Sequence, residues 1–206
     1  MGLYGRYIFP RFMDAVMSKE PFQRQRREAL KEARGTVLEI GFGTGLNVPH
    51  YPATVTWLTG IDLQNALPRR VEERSIQASF PIEVLRQSAE RLPFDDERFD
   101  CVVSTWTLCT IRDVRAALRE IRRVLKPTGA LFFLEHGLSE DPRIVRWQKI
   151  LDPFQRLFAC GCHLNRPIDR LIREAGFTLE RLDRFQMEEV PQPGGAMYRG
   201  VARPPA

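Results

Sequence analysis

A short run of glycines stands between two carboxylates early in the chain. Val37-Leu38-Glu39-Ile40 leads into Gly41-Phe42-Gly43-Thr44-Gly45, and Asp62 closes the next β-rich run, residues 55–61. Glycines at such a turn let the backbone approach a ligand closely and take φ values denied to residues with a Cβ. An acid ending the second strand is placed to accept hydrogen bonds from ribose hydroxyls. A dinucleotide site would read Gly-x-Gly-x-x-Gly and leave a helix N-terminus free for a pyrophosphate. Here Leu46 occupies the third glycine's place, and Gly45 comes one residue early. Glu39, just before the turn, is badly placed for a phosphate and well placed for a cation. The physics favours S-adenosylmethionine (SAM), which has no phosphate and carries a sulfonium and an ammonium. The plain alternative is an ordinary strand-to-helix turn.

His136 follows a β-rich run, residues 130–134, and so reaches the carboxyl edge of a sheet, where open α/β folds bind ligands. It is a candidate general base, and a packed histidine fits the sequence equally well. Glu135 beside it is suited to hold an acceptor cation or the cofactor. Cys160-x-Cys162-His163 has zinc-ligand residue types, but its spacing is tight and Cys109 is the only further ligand in sight. Structural zinc sites show paired C-x₂-C spacings. The expectation is therefore no metal, with the thiols lining a pocket or the core.

These residues need strands to place them. Residues 36–40, 55–61, 82–85, 99–104 and 130–134 read as strands, with 177–184 and 196–203 finishing the chain. Helices are expected over 12–34 with a break at Pro21, briefly from Leu46, and over 69–78, 113–125, 143–158 and 166–175. Lys126-Pro127-Thr128-Gly129 stops the helix before it. Strands alternating with helices predict an α/β, Rossmann-like, doubly wound sheet. It has seven strands, mostly parallel, with an antiparallel last strand. Within 144–158, Ile144, Trp147, Leu151, Phe154, Leu157 and Phe158 form an apolar stripe, read as a helix packed on the sheet, as one wall of an acceptor pocket, or as both.

The chain has 206 residues, 43% hydrophobic and 28% charged, which excludes a wholly disordered chain and leaves room for one globular domain. The expected organisation is an N-terminal helical lid or arm, 1–35, and a main domain, 36–206, within one globular unit. No apolar run approaches the ~18–20 residues of a membrane span, and no secretory signal is evident. Four cysteines, Cys101, Cys109, Cys160 and Cys162, are too few and too scattered for a disulfide framework. The expectation is a cytoplasmic protein with reduced thiols. Arg6, Arg11, Lys19, Arg24, Arg26, Arg27, Lys31 and Arg34 put most of the net charge of +5 in the arm. Peripheral membrane contact there competes with a plain solvated helix face. No nucleic-acid motif accompanies the charge. Oligomeric state is left open.

Further landmarks follow the glycines in order: Ser88-Ala89-Glu90-Arg91-Leu92-Pro93-Phe94, then Phe99-Asp100-Cys101-Val102-Val103, then Leu118 through Gly129. With these, residues 36–135 resemble the class I SAM-dependent methyltransferases, of the type 11 or ubiquinone-biosynthesis-like kind. Residues 107–111, Glu135-His136, Trp147-Gln148, Leu151-Asp152-Pro153 and 161–166 resemble the branch that includes animal alkyl-thiol methyltransferases. The resemblance implies SAM as methyl donor and S-adenosylhomocysteine (SAH) as product. It places Glu39, Gly41, Gly43 and Gly45 at the methionine end, Asp62 and Leu63 at the ribose, Ser88 and Ala89 at the adenine, and Thr105 beside them. Ser88 stands where many members carry Asp. His136 is the expected catalytic residue. Trp106, Cys109, Glu135 and Trp147 are the expected acceptor pocket, and the residues themselves leave two readings for Tyr4, Tyr7, Phe9 and Phe12, a lid folded over it or plain packing and fraying. The expected reaction is methyl transfer to a small apolar acceptor through thiol, oxygen or nitrogen. Competing readings are a phospholipid amine N-methyltransferase at a membrane surface, and a nicotinamide oxidoreductase or non-catalytic nucleotide-binding module.

Overall fold

The structure is a computed structural model and describes residues 8–64 and 67–205. Tyr4 and Tyr7 of the expected lid lie outside these residues. One sheet holds β1 (Gly35–Ile40), β2 (Val55–Asp62), β3 (Ile82–Arg86), β4 (Phe99–Thr105), β5 (Leu125–His136), β6 (Thr178–Gln186) and β7 (Ala196–Arg203). Their order is β3-β2-β1-β4-β5-β7-β6. The first five strands are parallel, and β7 runs antiparallel to both neighbours. From β1 the sheet grows outward in both directions, so a crevice opens at the carboxyl ends of β1 and β4.

The central strands β1, β4 and β5 are mostly buried on both faces because both faces are covered. On β1, Val37 enters one core with Val103 and Phe132, while Leu38 and Ile40 enter another with Val102 and Leu131. Helix α4 (Val114–Val124) buries Val114, Ala117, Leu118, Ile121 and Val124 against the second core, as its spacing predicts. The Asp113 carboxylate caps it, accepting the Ala116 N–H at 2.9 Å. Helix α6 (Ile168–Glu174) covers the same face. Helix α2 (Glu20–Leu30) covers the other through Leu30. Pro21 lies in the first turn of α2, where its missing N–H costs nothing, and separates it from α1 (Phe9–Met17). Helix α3 (Pro68–Ser75) follows β2.

Three expectations change. The glycine-rich turn is followed by a three-residue 3-10 turn, Val48–His50, and not by a helix, because Pro49 and Pro52 cap what can form there. Among the described residues, no α-helix begins between this turn and β2. Strand β5 begins at Leu125, so 126–129 belongs to it. Helix α5 (Pro142–Phe158) turns its apolar stripe outward. Trp147, Ile150, Phe154 and Leu157 are exposed, while Gln148 and Asp152 are buried. Polar needs of the loops beneath impose this. Gln148 donates to the Gly137 carbonyl and accepts the Ser139 N–H, and Asp152 accepts the Leu164 N–H at 2.8 Å. Among the described residues, no helix is long and apolar enough to cross a membrane.

Candidate active site

A cavity of about 710 Å³ opens at the crevice, within the usual range of small-molecule sites. Glu39, Gly41, Gly43, Asp62, Leu63, Ser88, Ala89 and Thr105 all line it. Trp106, Cys109 and His136 line it as well. Gly45, Glu135 and Trp147 are not among its walls.

The three glycines of the turn do different work. All have positive φ. A Cβ on Gly41 would strike the Thr107 side chain at 2.0 Å, and one on Gly45 would press the Phe42 ring at 3.3 Å. These two are required by packing. A Cβ on Gly43 would meet only the Gly41 carbonyl, at 3.9 Å, and would otherwise stand in the cavity. The Gly43 N–H donates to Asp62 Oδ2 at 2.9 Å, and the Gln64 N–H donates to Oδ1 at 2.8 Å. Burial raises the Asp62 carboxyl above its ordinary value, against the pull of these N–H groups.

Glu39 is buried at the end of β1. Asn47 Nδ2 donates to its Oε1 at 2.9 Å and the Tyr51 hydroxyl to its Oε2 at 2.7 Å. Burial pushes its carboxyl up to about 7, although the Tyr51 bond and the nearby Arg26 charge pull the other way. Arg26 enters from α2, 6% exposed. It donates to Asn47 Oδ1 at 2.7 Å and Thr105 Oγ1 at 3.0 Å, and its guanidinium lies 4.7 Å from the Trp106 ring centre. Burial lowers Arg26 to about 10. Sequence reasoning missed Arg26, Asn47 and Tyr51. None belongs to a motif, and each reaches Glu39 or its neighbours through the fold.

Helix α1 forms one wall through Phe9, Pro10, Met13, Asp14, Val16 and Met17. Phe12, expected in the lid, is 60% exposed. Asp14 latches the helix to the glycine-rich turn. It accepts from the Thr44 hydroxyl at 2.6 Å and from Arg74 of α3 at 2.7 Å, and Arg74 also donates to the Thr44 carbonyl. Both side chains of this ion pair are over four-fifths buried.

The loop after β4 is set by Glu135. Trp106 takes a left-handed backbone (φ 51°), after which the N–H groups of Thr107, Leu108 and Cys109 all donate to the Glu135 carboxylate. Ser104 donates to it too. Burial raises the Glu135 carboxyl despite these bonds. Glu135 is fully buried and thus shapes the site's backbone rather than facing an acceptor. Trp147 lies on the exposed face of α5, so its expected place in the pocket does not hold.

The sulfur-bearing residues regroup. Cys162 Sγ lies 3.5 Å from Cys109 Sγ and 3.5 Å from His136 Nδ1. His163 instead faces Asp152, at 3.5 Å, and is absent from this cluster, as is Cys160. The Cys109 thiol is raised well above its ordinary value by its bond with Cys162 and by burial, and Cys162 is lowered by the same bond. No sequence spacing signals the trio, since its members come from the loop after β4, the end of β5 and the turn after α5.

Comparison with known proteins bears on this arrangement. Residues 38–133 match the family model described as a methyltransferase domain. Thiol S-methyltransferase TMT1B of Rattus norvegicus is 31% identical over 191 residues, covering 85% of this chain and 77% of that protein. Phosphatidylethanolamine N-methyltransferase of Cereibacter sphaeroides is 28% identical over 198 residues, covering 95% and 92%. A SAM-dependent methyltransferase structure from Aquifex aeolicus shares the fold, with a TM-score of 0.65 at 17% identity, covering 94% of this chain and 97% of that one. The glycine-rich turn between Glu39 and Asp62, the reversal of strand order and this extended similarity agree, and the chain belongs to the methyltransferase family that includes the thiol S-methyltransferases.

Proposed function

We propose that the protein transfers the methyl group of SAM to a small apolar thiol. The observation that carries this is one continuous, mostly apolar cavity. It has a glycine floor and two carboxylates at one end, and thiols and an imidazole among its other walls. The residues present fit the donor. The Gly43 position leaves space that a Cβ would fill, Asp62 retains acceptor capacity for ribose hydroxyls, and Glu39 offers an ammonium a buried carboxylate at the cavity wall. SAM supplies an electrophilic methyl on a sulfonium, so the protein's task is orientation and exclusion of water. Glu39 and Asp62 hold the donor, α1 closes the cavity, and Glu135 fixes the loop that carries Trp106 and Cys109. A thiol acceptor suits this wall set because its pKa of ~8.5 leaves some thiolate at neutral pH without a strong base. Reduced Cys109 and Cys162 fit a reducing compartment such as the cytoplasm.

A second reading has support of its own. The outward apolar stripe of α5, flanked by Arg143, Arg146 and Lys149, has the character of a face that rests on an anionic lipid surface, which would suit a phospholipid amine acceptor. Labelled-methyl transfer to a panel of alkyl thiols, phenols, amines and phosphatidylethanolamine vesicles separates the two. Transfer to thiols at a rate at least about tenfold above the others supports the thiol reading. Transfer confined to phosphatidylethanolamine replaces it.

A further inference from the structure

We propose that Cys109, Cys162 and His136 form a three-ligand site for a zinc-class divalent cation, whose fourth position faces the cavity and takes the acceptor's sulfur. The acceptor half of this statement rests on the thiol reading above. The ion half does not.

The geometry comes first. The three ligand atoms lie within 4.8 Å of one another, and two of the separations are 3.5 Å. A tetrahedral ion with bonds of about 2.3 Å to sulfur and 2.0–2.1 Å to nitrogen sets its ligand atoms about 3.8 Å apart for S···S and about 3.5 Å for S···N. The side chains already stand close to those edges. A disulfide would need the two sulfurs at about 2.05 Å, a much larger shift. Two sulfurs and one imidazole select zinc over magnesium or calcium. Two thiolates and a neutral imidazole also balance a charge of +2, so the buried site carries no net charge once filled.

The scaffold behind the trio is rigid. The Cys109 N–H donates to Glu135 at 3.2 Å, and the Cys109 carbonyl accepts from the His163 N–H at 2.9 Å. That second bond ties the two cysteine segments together. The Cys162 N–H donates to the Ala159 carbonyl at 3.1 Å. His136 is 5% exposed, and its Nε2 has no hydrogen-bond partner among the described residues. The contact of its Nδ1 is to a thiol, a weak partner that a metal bond would replace, while Nε2 would keep its proton. Three protein ligands with one open position is the pattern of catalytic zinc, whereas structural zinc uses four. All three residues line the cavity, so the open position is on that side.

Binding there, an acceptor thiol would lose its proton to solvent as its sulfur joins the ion as thiolate. That sulfur would then form a bond to the methyl carbon while the carbon's bond to the sulfonium breaks. The bonding pair stays with SAH, and the product thioether, a weaker ligand, departs.

The test uses the reduced, metal-stripped full-length protein with Co²⁺ as a spectroscopic stand-in, displaced by Zn²⁺. The expected result is uptake of one equivalent with thiolate-to-cobalt absorption. Cys162→Ser is expected to weaken uptake by more than the roughly 10–100-fold typical of changes around a ligand shell. An added alkyl thiol is expected to shift the visible bands, whereas SAH alone is not. Protein that binds SAH normally yet takes up no stoichiometric Co²⁺ overturns the ion site, as do bands unchanged in Cys162→Ser. Bands that ignore the thiol overturn acceptor ligation and leave the ion site standing. Failure of the methyltransferase reading shows separately, as absence of SAH binding in the same samples.

Discussion

Glu39 and Gly43 carry opposite kinds of information. Gly43 is needed for space, since its missing Cβ would point into the cavity. Replacing it with valine adds a branched side chain at φ +58°. That strain costs roughly 1–2 kcal/mol, against a typical domain stability of about 5–15 kcal/mol, so the sheet should survive. On the proposed reading, Glu39 supplies charge. With its carboxyl pushed up to about 7 by burial, much of it is protonated at neutral pH before a cation arrives. A bound ammonium favours the ionised form, so binding releases a proton below about pH 7. Affinity for SAH should therefore climb as pH rises from 5 to 7 and then level off. Calorimetry on Glu39→Gln should show affinity lower by about tenfold at pH 7.5, equal to ~1.4 kcal/mol, with the climb gone. A Glu39→Gln protein whose affinity still climbs over that window would remove Glu39 from the ligand's charge. Asp62 was readable as an acceptor at the strand end, but its grip on the Gly43 N–H was not, because no spacing shows which backbone donor a side chain will meet.

Helices α1 and α5 separate what periodicity reveals from what it hides. The apolar residues of 144–158 do share one face, as their spacing says, yet that face points outward. Periodicity identifies a common face and says nothing of its direction. Gln148 and Asp152 decide the direction by capping backbone groups of the loops below. A contiguous exposed apolar stripe of this kind is uncommon on a monomer. If it rests on lipid, co-sedimentation with anionic vesicles should fall at least about threefold when Trp147 and Phe154 are both changed to Glu. Unchanged co-sedimentation would take α5 out of membrane contact. In α1, cavity wall and latch are separable. Deleting residues 1–12 removes Phe9 and Pro10 but keeps Asp14, so turnover should drop by about tenfold or more while SAH affinity changes little. Asp14→Ala breaks the ion pair with Arg74 and the bond to Thr44, so SAH affinity itself should weaken by ~1–2 kcal/mol. Equal effects of the two variants on affinity would show that α1 acts as a single unit.

Across the whole molecule, the central strands were legible as apolar runs bounded by turn residues, whereas β3 and β6 mix apolar with charged residues. Even the antiparallel end was permitted by the short Pro- and Gly-containing link before residue 196. Strand β1 is buried on both sides, and its run from Val37 to Ile40 is apolar except for Glu39, which reaches the cavity wall. The half of the site built on β1 and β2 was equally legible, since Glu39, the glycines and Asp62 lie within one strand-turn-strand unit. The other half was not. Arg26 crosses 79 positions to reach Thr105, and Cys162 crosses 53 to reach Cys109. Such contacts exist only after the chain has closed. The claim on which the rest depends is that this crevice holds the donor over Gly43. Calorimetric titration of wild-type protein and Gly43→Val with SAH, each checked for native far-UV circular dichroism, tests it directly. One equivalent of SAH should bind the wild type, with affinity reduced at least about 100-fold in folded Gly43→Val. Equal affinity in the two proteins, or no binding to the wild type, would contradict it.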